Sequence, residues 1–142
     1  MEIIFRKENE LHGYGYGSDD GYGYGYGEYH RKGISAWASK WPAPQQSRLA
    51  ELQQQGATIA YWKSKKDATP ANGGRANPVA AGTIQEDTGP LSLCHKGTLH
   101  ATLVPEKWQG ERKWIVALIG EVVGDDDKLG ALKREIIGEC VE

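Results

Sequence analysis

The segment from residue 13 to residue 27 alternates glycine with larger residues, and this alternation constrains the chain more than any other feature. Its odd positions are glycine except at Asp19, and its even positions include five tyrosines. Because successive residues of extended backbone point to opposite faces, this parity places five phenol rings on one face and bare backbone on the other. A row of tyrosines offers flat contact area with a hydroxyl group at each tip. The sequence therefore predicts a contact surface formed by Tyr14, Tyr16, Tyr22, Tyr24 and Tyr26.

The same tract is too long for one ordinary strand, so we expect the chain to fold back within it. Ser18, Asp19 and Asp20 are residues that favour turns, because their side chains bond to nearby backbone. We favour a hairpin of residues 13–17 against residues 21–27, with an irregular glycine loop as the alternative. Because glycine loses much conformational entropy on folding, the tract should be ordered only where something packs against it.

Length and charge limit the class of protein. A chain of 142 residues is long enough for one hydrophobic core. We therefore expect a Gly-Tyr-rich arm or hairpin over residues 1–33 and one domain over residues 34–142. A formal net charge of −2 gives no overall attraction to the phosphates of nucleic acids. Without a signal-like N-terminus or an apolar run that could span a bilayer, we expect a cytoplasmic protein with no membrane contact.

The residues after position 34 predict a small α+β domain, a mainly antiparallel sheet with one or two helices. Trp37 and Trp41 lie four residues apart, as on one helix face. A second helix is predicted over residues 45–55, with Pro44 at its start and Gly56 just past its end. Residues 115–119 are nearly all apolar and indicate a strand at the sheet centre. Further strands are predicted over residues 57–63, 79–85, 91–94, 99–104, 114–123 and 134–141. For residues 134–141 a short helix is the alternative. An exposed loop is predicted over residues 64–78.

The second half of the chain carries a cysteine, a His-Ala pair, a Gly-Glu strand and an Asp-Lys turn. These are Cys94, Gly97, Leu99, His100, Ala101, Gly120, Glu121, Asp127 and Lys128. Over residues 84–139 this pattern resembles a family of uncharacterised phage and prophage proteins, some of which have Gly-Tyr-rich stretches upstream. The chain departs from the family pattern in an added Thr98 and in Thr102, where serine is usual. The resemblance implies a phage-encoded accessory protein in the host cytoplasm, with no particular chemistry.

Cysteine and histidine residues are the first candidates for chemistry. Cys94 and His95 are adjacent, and neighbouring strand residues point to opposite faces, so His100 would have to reach Cys94 across a turn to act as its base. We favour a buried thiol and a histidine bonded to backbone. Two cysteines indicate free thiols rather than a disulfide framework. The spacing of these three residues and Cys140 matches no short zinc-ligand pair, so we predict no metal and no cofactor.

An enzymatic alternative comes from residues 94–98 and from residues 134–139 on the last predicted strand. Together they are weakly similar to ADP-ribosyltransferases, in which a His or Arg holds the dinucleotide and a late Glu polarises the ribose or acceptor. A carboxylate can stabilise the oxocarbenium charge that develops in that reaction. The resemblance implies His95, with Glu135 or Glu139, in these roles; His100 is a further alternative catalytic residue.

A second alternative is contact with nucleotides or nucleic acid. Lys63, Lys65 and Lys66 follow a Tyr-Trp pair, the mixture of basic and aromatic residues that single-strand binders use. Because the chain has no basic excess, we favour a solvated loop here. Stacking of bases on the tyrosines would make the protein a nucleotide or signal-molecule sponge.

The tyrosine face favours an interaction function over these alternatives. Tyrosine supplies large contact area at low side-chain entropy cost. Trp37, Trp41 and Trp62 are candidate additions to the same contact surface. We predict a non-enzymatic phage accessory protein that binds a host protein or complex, such as a defence component blocked by an anti-CRISPR or another immune inhibitor. Whether it forms a homo-oligomer stays open.

Overall fold

The computed structural model describes residues 32–71, 77–93 and 95–142. Within these ranges, two helices and two small antiparallel sheets, of four and three strands, confirm the predicted α+β class. The chain divides into two compact units between Thr58 and Ile59. Residues 1–31 of the predicted arm or hairpin, including its five tyrosines, lie outside the described residues, whereas residues 32 and 33 are helical. The boundary at residue 33 stays a prediction.

The described part of the first unit, residues 32–58, contains two helices, α1 over residues 32–38 and α2 over Ala43–Gln54. Helix α2 starts two residues earlier than predicted, with Pro44 in its first turn. Proline is tolerated there because the N–H groups of a first turn make no hydrogen bond within the helix. Gly56 has a φ of 90° and donates its N–H group to the carbonyl oxygen of Gln53. This left-handed residue ends the helix as predicted.

Both helices of the first unit carry buried residues. Ile34 and Leu49 are fully buried, and Leu52 is 1% exposed. Gln53 is also buried, and its side-chain amide has no hydrogen-bond partner among the residues that the structure describes. An unsatisfied buried amide costs about 1–3 kcal/mol.

Seven strands and one 3₁₀ turn form the second unit as far as its residues are described. The four-stranded sheet has the order β1-β4-β7-β2 and the three-stranded sheet the order β3-β6-β5. The strands are β1 (Thr58–Ser64), β2 (Ile84–Glu86), β3 (Leu99–Ala101), β4 (Arg112–Ile119), β5 (Val123–Gly124), β6 (Leu129–Ala131) and β7 (Lys133–Glu139), and the 3₁₀ turn is Pro105–Lys107.

Strands β4 and β7 form the buried centre of the larger sheet, as the apolar run over residues 115–119 predicts. Ile115 pairs with Gly138, but Val116 pairs with Ile136, so Ile137 is an extra residue in β7. This β-bulge lets two neighbouring isoleucines both be buried. The last segment is therefore a strand, as favoured, although its pattern fits neither the helical nor the strand period.

Two features of the backbone link the two sheets. Only Leu132 separates β6 from β7 along the chain. On the other side, Tyr61 of β1 and Thr102, just after β3, exchange N–H···O bonds of 2.8 Å in both directions. These links allow side chains of β7 to reach β3.

Several of the sequence predictions need correction. The strand predicted over residues 79–85 is limited to Ile84–Glu86, because Gly82 is left-handed at φ 96° and the Ala80 N–H group bonds to the Thr83 hydroxyl. The strand predicted over residues 114–123 ends at Ile119, and left-handed Gly120 follows it. The loop predicted over residues 64–78 is not wholly exposed, since Ala68 and Pro70 are buried.

The fourth correction concerns the strand predicted over residues 91–94, of which residues 91–93 are described and are not strand. The Ser92 carbonyl oxygen accepts bonds from the His95 N–H group and the Thr98 hydroxyl. The Thr98 N–H group in turn donates to the His95 carbonyl oxygen. These local bonds form consecutive turns in place of a sheet ladder.

Candidate functional site

Arg134 of β7 joins three strands of the second unit through its guanidinium. It is 3% exposed. Its Nε and Nη2 atoms donate to Oε1 of Gln85 on β2, at 2.9 and 2.6 Å. Its Nη1 atom donates to the carbonyl oxygen of His100 on β3 at 2.6 Å. The guanidinium carbon also lies 4.5 Å from the ring centroid of Trp62 on β1. We call Trp62, Gln85, His100 and Arg134 the Arg134 cluster.

Two of the tryptophans predicted to contact a partner are buried. Trp62 is 4% exposed under Arg134, and Trp41 is 8% exposed. Trp37 is half-buried, with the Lys40 ammonium 5.3 Å from its ring centroid. A partner could reach the rings of Trp41 and Trp62 only if this structure changed. The assignment of Trp41 and Trp62 to a contact surface stays a prediction, and it requires such a change.

His100 is half-buried in β3, opposite Gly130 of β6. Its Nε2 atom lies 3.3 Å from the Leu93 carbonyl oxygen, which can only accept, so this nitrogen carries the proton. Burial lowers the pKa of His100 below 6.5, and the positive charges of Lys128 and Arg134 act in the same direction. The favoured interpretation, a histidine bonded to backbone, fits this geometry.

His95 has a different partner, the carboxylate of Asp87. The His95 Nε2 and Asp87 Oδ2 atoms are 3.2 Å apart, and the same oxygen accepts the Gly89 N–H group at 3.0 Å. Gly97 packs closely on the Asp87 carboxylate, which would have to shift if residue 97 carried a Cβ atom. Sequence reasoning missed Asp87, although an aspartate two residues before a glycine is a turn signal.

The glutamates of the enzymatic alternative lie in different surroundings. Both oxygens of Glu139 accept bonds from Arg112, from its Nε and Nη2 atoms, each at 2.8 Å. The bond from Arg112 lowers the pKa of Glu139. The guanidinium is also 4.9 Å from the ring centroid of Trp114. Glu135 is 4% exposed on β7. Glu139 is thus held in a two-bond ion pair, the arrangement of a structural carboxylate.

Cys140 is a free, half-buried thiol whose N–H group bonds to the Lys113 carbonyl oxygen. Burial raises the pKa of Cys140 to about 12. The thiolate is the reactive form of cysteine, so this side chain is unreactive at neutral pH. Cys94 lies outside the described residues. Within residues 32–71, 77–93 and 95–142, no group of three or more His, Cys, Asp and Glu residues could hold a metal ion.

The three lysines proposed to contact nucleic acid lie at the end of β1 and in the turn that follows. The Lys63 ammonium donates to the Trp108 carbonyl oxygen at 3.1 Å. Lys65 and Lys66 are exposed. The backbone of this turn is fixed, because the Lys66 N–H group donates to Glu111 and the Lys66 carbonyl accepts from Arg112.

Comparison of the chain with protein-family models, with curated proteins and with solved structures finds no match. Across the part of the chain that the structure describes, no helix has the length and apolar character needed to cross a membrane.

Proposed function

We propose that this protein is a phage accessory protein that acts by binding, with the tyrosine face of residues 13–27 as its principal contact surface. The observation that carries the proposal is the parity of that tract, in which five tyrosines occupy even positions between glycines. A face of aromatic rings beside bare backbone suits close contact with another molecule and does not suit a core. The phage origin rests on the resemblance over residues 84–139.

The partner that we propose is a host protein or complex, with a component of host defence as the leading class. Tyrosine-rich surfaces recognise proteins through large, rigid contact area at low entropy cost. The net charge of −2 argues against a partner recognised mainly through phosphates. Inhibition of a defence system, as by an anti-CRISPR, is the specific role that the phage origin favours.

The side chains of the second unit support binding over the ADP-ribosyltransferase alternative. Glu139 is occupied by Arg112, and Glu135 is buried. His95 is held by Asp87. A catalytic carboxylate for glycosyl chemistry has to meet the sugar where positive charge develops. Glu139 would first have to leave Arg112.

The test compares two triple variants of the full chain in affinity capture from bacterial host lysate, read by mass spectrometry. Replacing Tyr22, Tyr24 and Tyr26 with alanine removes the rings, whereas replacing them with phenylalanine keeps the ring area and removes only the hydroxyls. We expect one host partner to be retained by the parent and, more weakly, by the phenylalanine variant, and to be lost from the alanine variant. Equal recovery of the same partner by the alanine variant would overturn the proposal.

Two further outcomes identify the alternatives. A mass increase on a host protein incubated with the parent chain and nicotinamide dinucleotide identifies the transferase. A rise in melting temperature with one member of a nucleotide panel identifies the sponge, because a ligand that binds only the folded state stabilises it. The tyrosine variants must melt at the parent temperature for any loss of binding to be assigned to the contact surface.

A further inference from the structure

The side-chain amide of Gln53, in the last turn of α2, is buried without a partner in the described chain. Gln53 is 3% exposed, and neither its Nε2 nor its Oε1 atom makes a hydrogen bond to any residue that the structure describes. A carboxamide offers two N–H donors and an acceptor oxygen. In folded proteins the large majority of such buried atoms are hydrogen-bonded. The Gln53 amide therefore indicates a partner beyond the described residues.

A second carboxamide on the same face of α2 is bonded to backbone. Gln46 lies about two helical turns before Gln53, with Leu49 between them. The half-buried Gln46 side chain donates from Nε2 to the backbone carbonyl oxygen of Trp41 at 2.9 Å. Leu49 is fully buried. We call Gln46, Leu49 and Gln53 the glutamine face of α2, a surface that combines apolar area with amides.

The chemistry of an amide selects the occupant of this face. A peptide group carries one N–H donor and one C=O acceptor, so it can exchange two hydrogen bonds with a carboxamide. A side chain on the approaching backbone would hold the two groups apart, and glycine has none. Glycine occupies the odd positions of residues 13–27 except at Asp19, which leaves one face of an extended tract as bare backbone. This Gly-Tyr tract is therefore the segment outside the described residues that best fits the glutamine face.

The tract is also long enough, and near enough along the chain, to reach Gln53. The described chain begins at residue 32 in α1, shortly after Gly27. Helix α2 has 12 residues and is about 18 Å long. An extended chain over residues 13–27 spans about 50 Å, so the tract can reach any point along α2. Because it belongs to the same chain, its effective concentration at α2 exceeds that of a second copy.

We propose that Gln53 is the docking site of the Gly-Tyr tract, with its carboxamide bonded to a backbone peptide group of residues 13–27 and the glycine face of the tract held against the glutamine face of α2. Alternation along the tract then directs the tyrosines away from α2. The new bonds and contacts offset the entropy that glycine loses on ordering. The inference rests on the proposed function only in that both use the alternation of this tract. Docking and partner capture are measured separately, so either can fail alone.

Hydrogen exchange of the full chain tests the docking. Gln53→Met keeps the length of the side chain and removes its amide, and Gln54→Met makes the same change at the exposed neighbouring residue. We expect backbone amides of residues 13–27 to exchange at least about tenfold faster in Gln53→Met than in the parent, and at the parent rate in Gln54→Met. Equal exchange of the tract in the parent and in Gln53→Met would overturn the proposal.

Stability gives a second test, because a bonded and an unbonded Gln53 amide predict opposite signs. If the amide is bonded to the tract, Gln53→Met leaves a buried peptide group unpaired and should lower the urea midpoint of unfolding by about 1 M. If the amide has no partner, methionine relieves its burial and raises the midpoint. A midpoint that is raised or equal to that of the parent would overturn the proposal. Gln54→Met should leave the midpoint nearly unchanged.

A third measurement needs no substitution. In NMR spectra of the parent, the side-chain amide protons of Gln53 should show nuclear Overhauser contacts to glycine α-protons of residues 13–27. Contacts of the assigned Gln53 amide protons to other parts of the chain alone would refute the docking.

Discussion

Replacing Arg134 with methionine tests whether the Arg134 cluster holds the second unit together. Methionine keeps an unbranched chain of similar length over Trp62 and removes all the N–H donors. The change leaves the Gln85 side-chain oxygen and the His100 carbonyl oxygen without these bonds. A buried polar group that loses its partner costs about 1–3 kcal/mol, so two such groups cost about 2–6 kcal/mol. Relief of the desolvation of a buried cation offsets part of this. We expect a net loss of about 3 kcal/mol.

A double-mutant cycle with Gln85→Leu isolates the central contact. The single change at Gln85 leaves the buried Nε and Nη2 atoms of Arg134 without that acceptor. The double variant removes donor and acceptor together, and its loss should therefore be smaller than the sum of the two single losses. Coupling energies between residues in contact span about 0.5–3 kcal/mol. We expect about 2 kcal/mol here, because two charged hydrogen bonds share one buried oxygen.

The assay is urea unfolding followed by the fluorescence of the five tryptophans, one of which is Trp62 of the cluster. Arg48→Met is the matched control: Arg48 bonds to Glu51 at 2.6 Å, but its side chain is 39% exposed. Exposed ion pairs contribute about 0–1 kcal/mol, so this change should be nearly neutral. Two results would refute a stabilising role of the cluster. One is a loss of unfolding free energy in Arg134→Met no larger than in Arg48→Met, and the other is a coupling energy with Gln85 below about 0.5 kcal/mol.

Two further predictions follow from the end of β7. The pKa of Glu139 is lowered by its bond from Arg112, so its contribution to stability is present above its ordinary value of 4.5 and is lost as the pH falls through the lowered value. Glu139→Gln should therefore be less stable than the parent at neutral pH, by about 1 kcal/mol for this partly exposed pair. The variant should lose less stability than the parent on acidification. Parallel acid-unfolding curves of the two proteins would contradict this. Burial raises the pKa of Cys140 to about 12. Iodoacetamide at about pH 8 should therefore alkylate Cys140 little in the folded chain and fully in urea, as measured by mass spectrometry. Equal labelling in both conditions would refute the burial of this thiol.

The parts of the fold that the sequence predicts well are those with local signals. Helix α2 is predicted because Pro44 fits its first turn and left-handed Gly56 ends it. Strand β4 is predicted because residues 115–119 are apolar on both faces, as an interior strand requires. The bulge in β7 has no such signal. It depends on the register with β4, and in the sequence it appears only as two adjacent isoleucines that fit no period.

The candidate site was less predictable, because its contacts join distant parts of the chain. Arg134 and Gln85 are 49 residues apart in sequence, and no local pattern indicates that a guanidinium and an amide will meet. His95 and His100 are candidate catalytic residues in the sequence only because histidine can act as an acid or a base. Their partners, Asp87 and the Leu93 carbonyl, depend on turns that replace the predicted strand. Local side-chain bonds overrode the alternating pattern there.

Substitutions that lower the stability of this protein should differ from those that abolish partner binding, because different residues are proposed for the two properties. The hydrogen bonds and the ring contact of the Arg134 cluster are made within the second unit. A loss of about 3 kcal/mol there is survivable if the domain has the usual 5–15 kcal/mol of stability. Arg134→Met should then still capture the partner at low temperature, whereas the tyrosine-to-alanine variant should unfold like the parent and capture nothing. If both variants lose capture together, the contact surface must include residues that the Arg134 cluster positions, and the tyrosines alone would not account for binding.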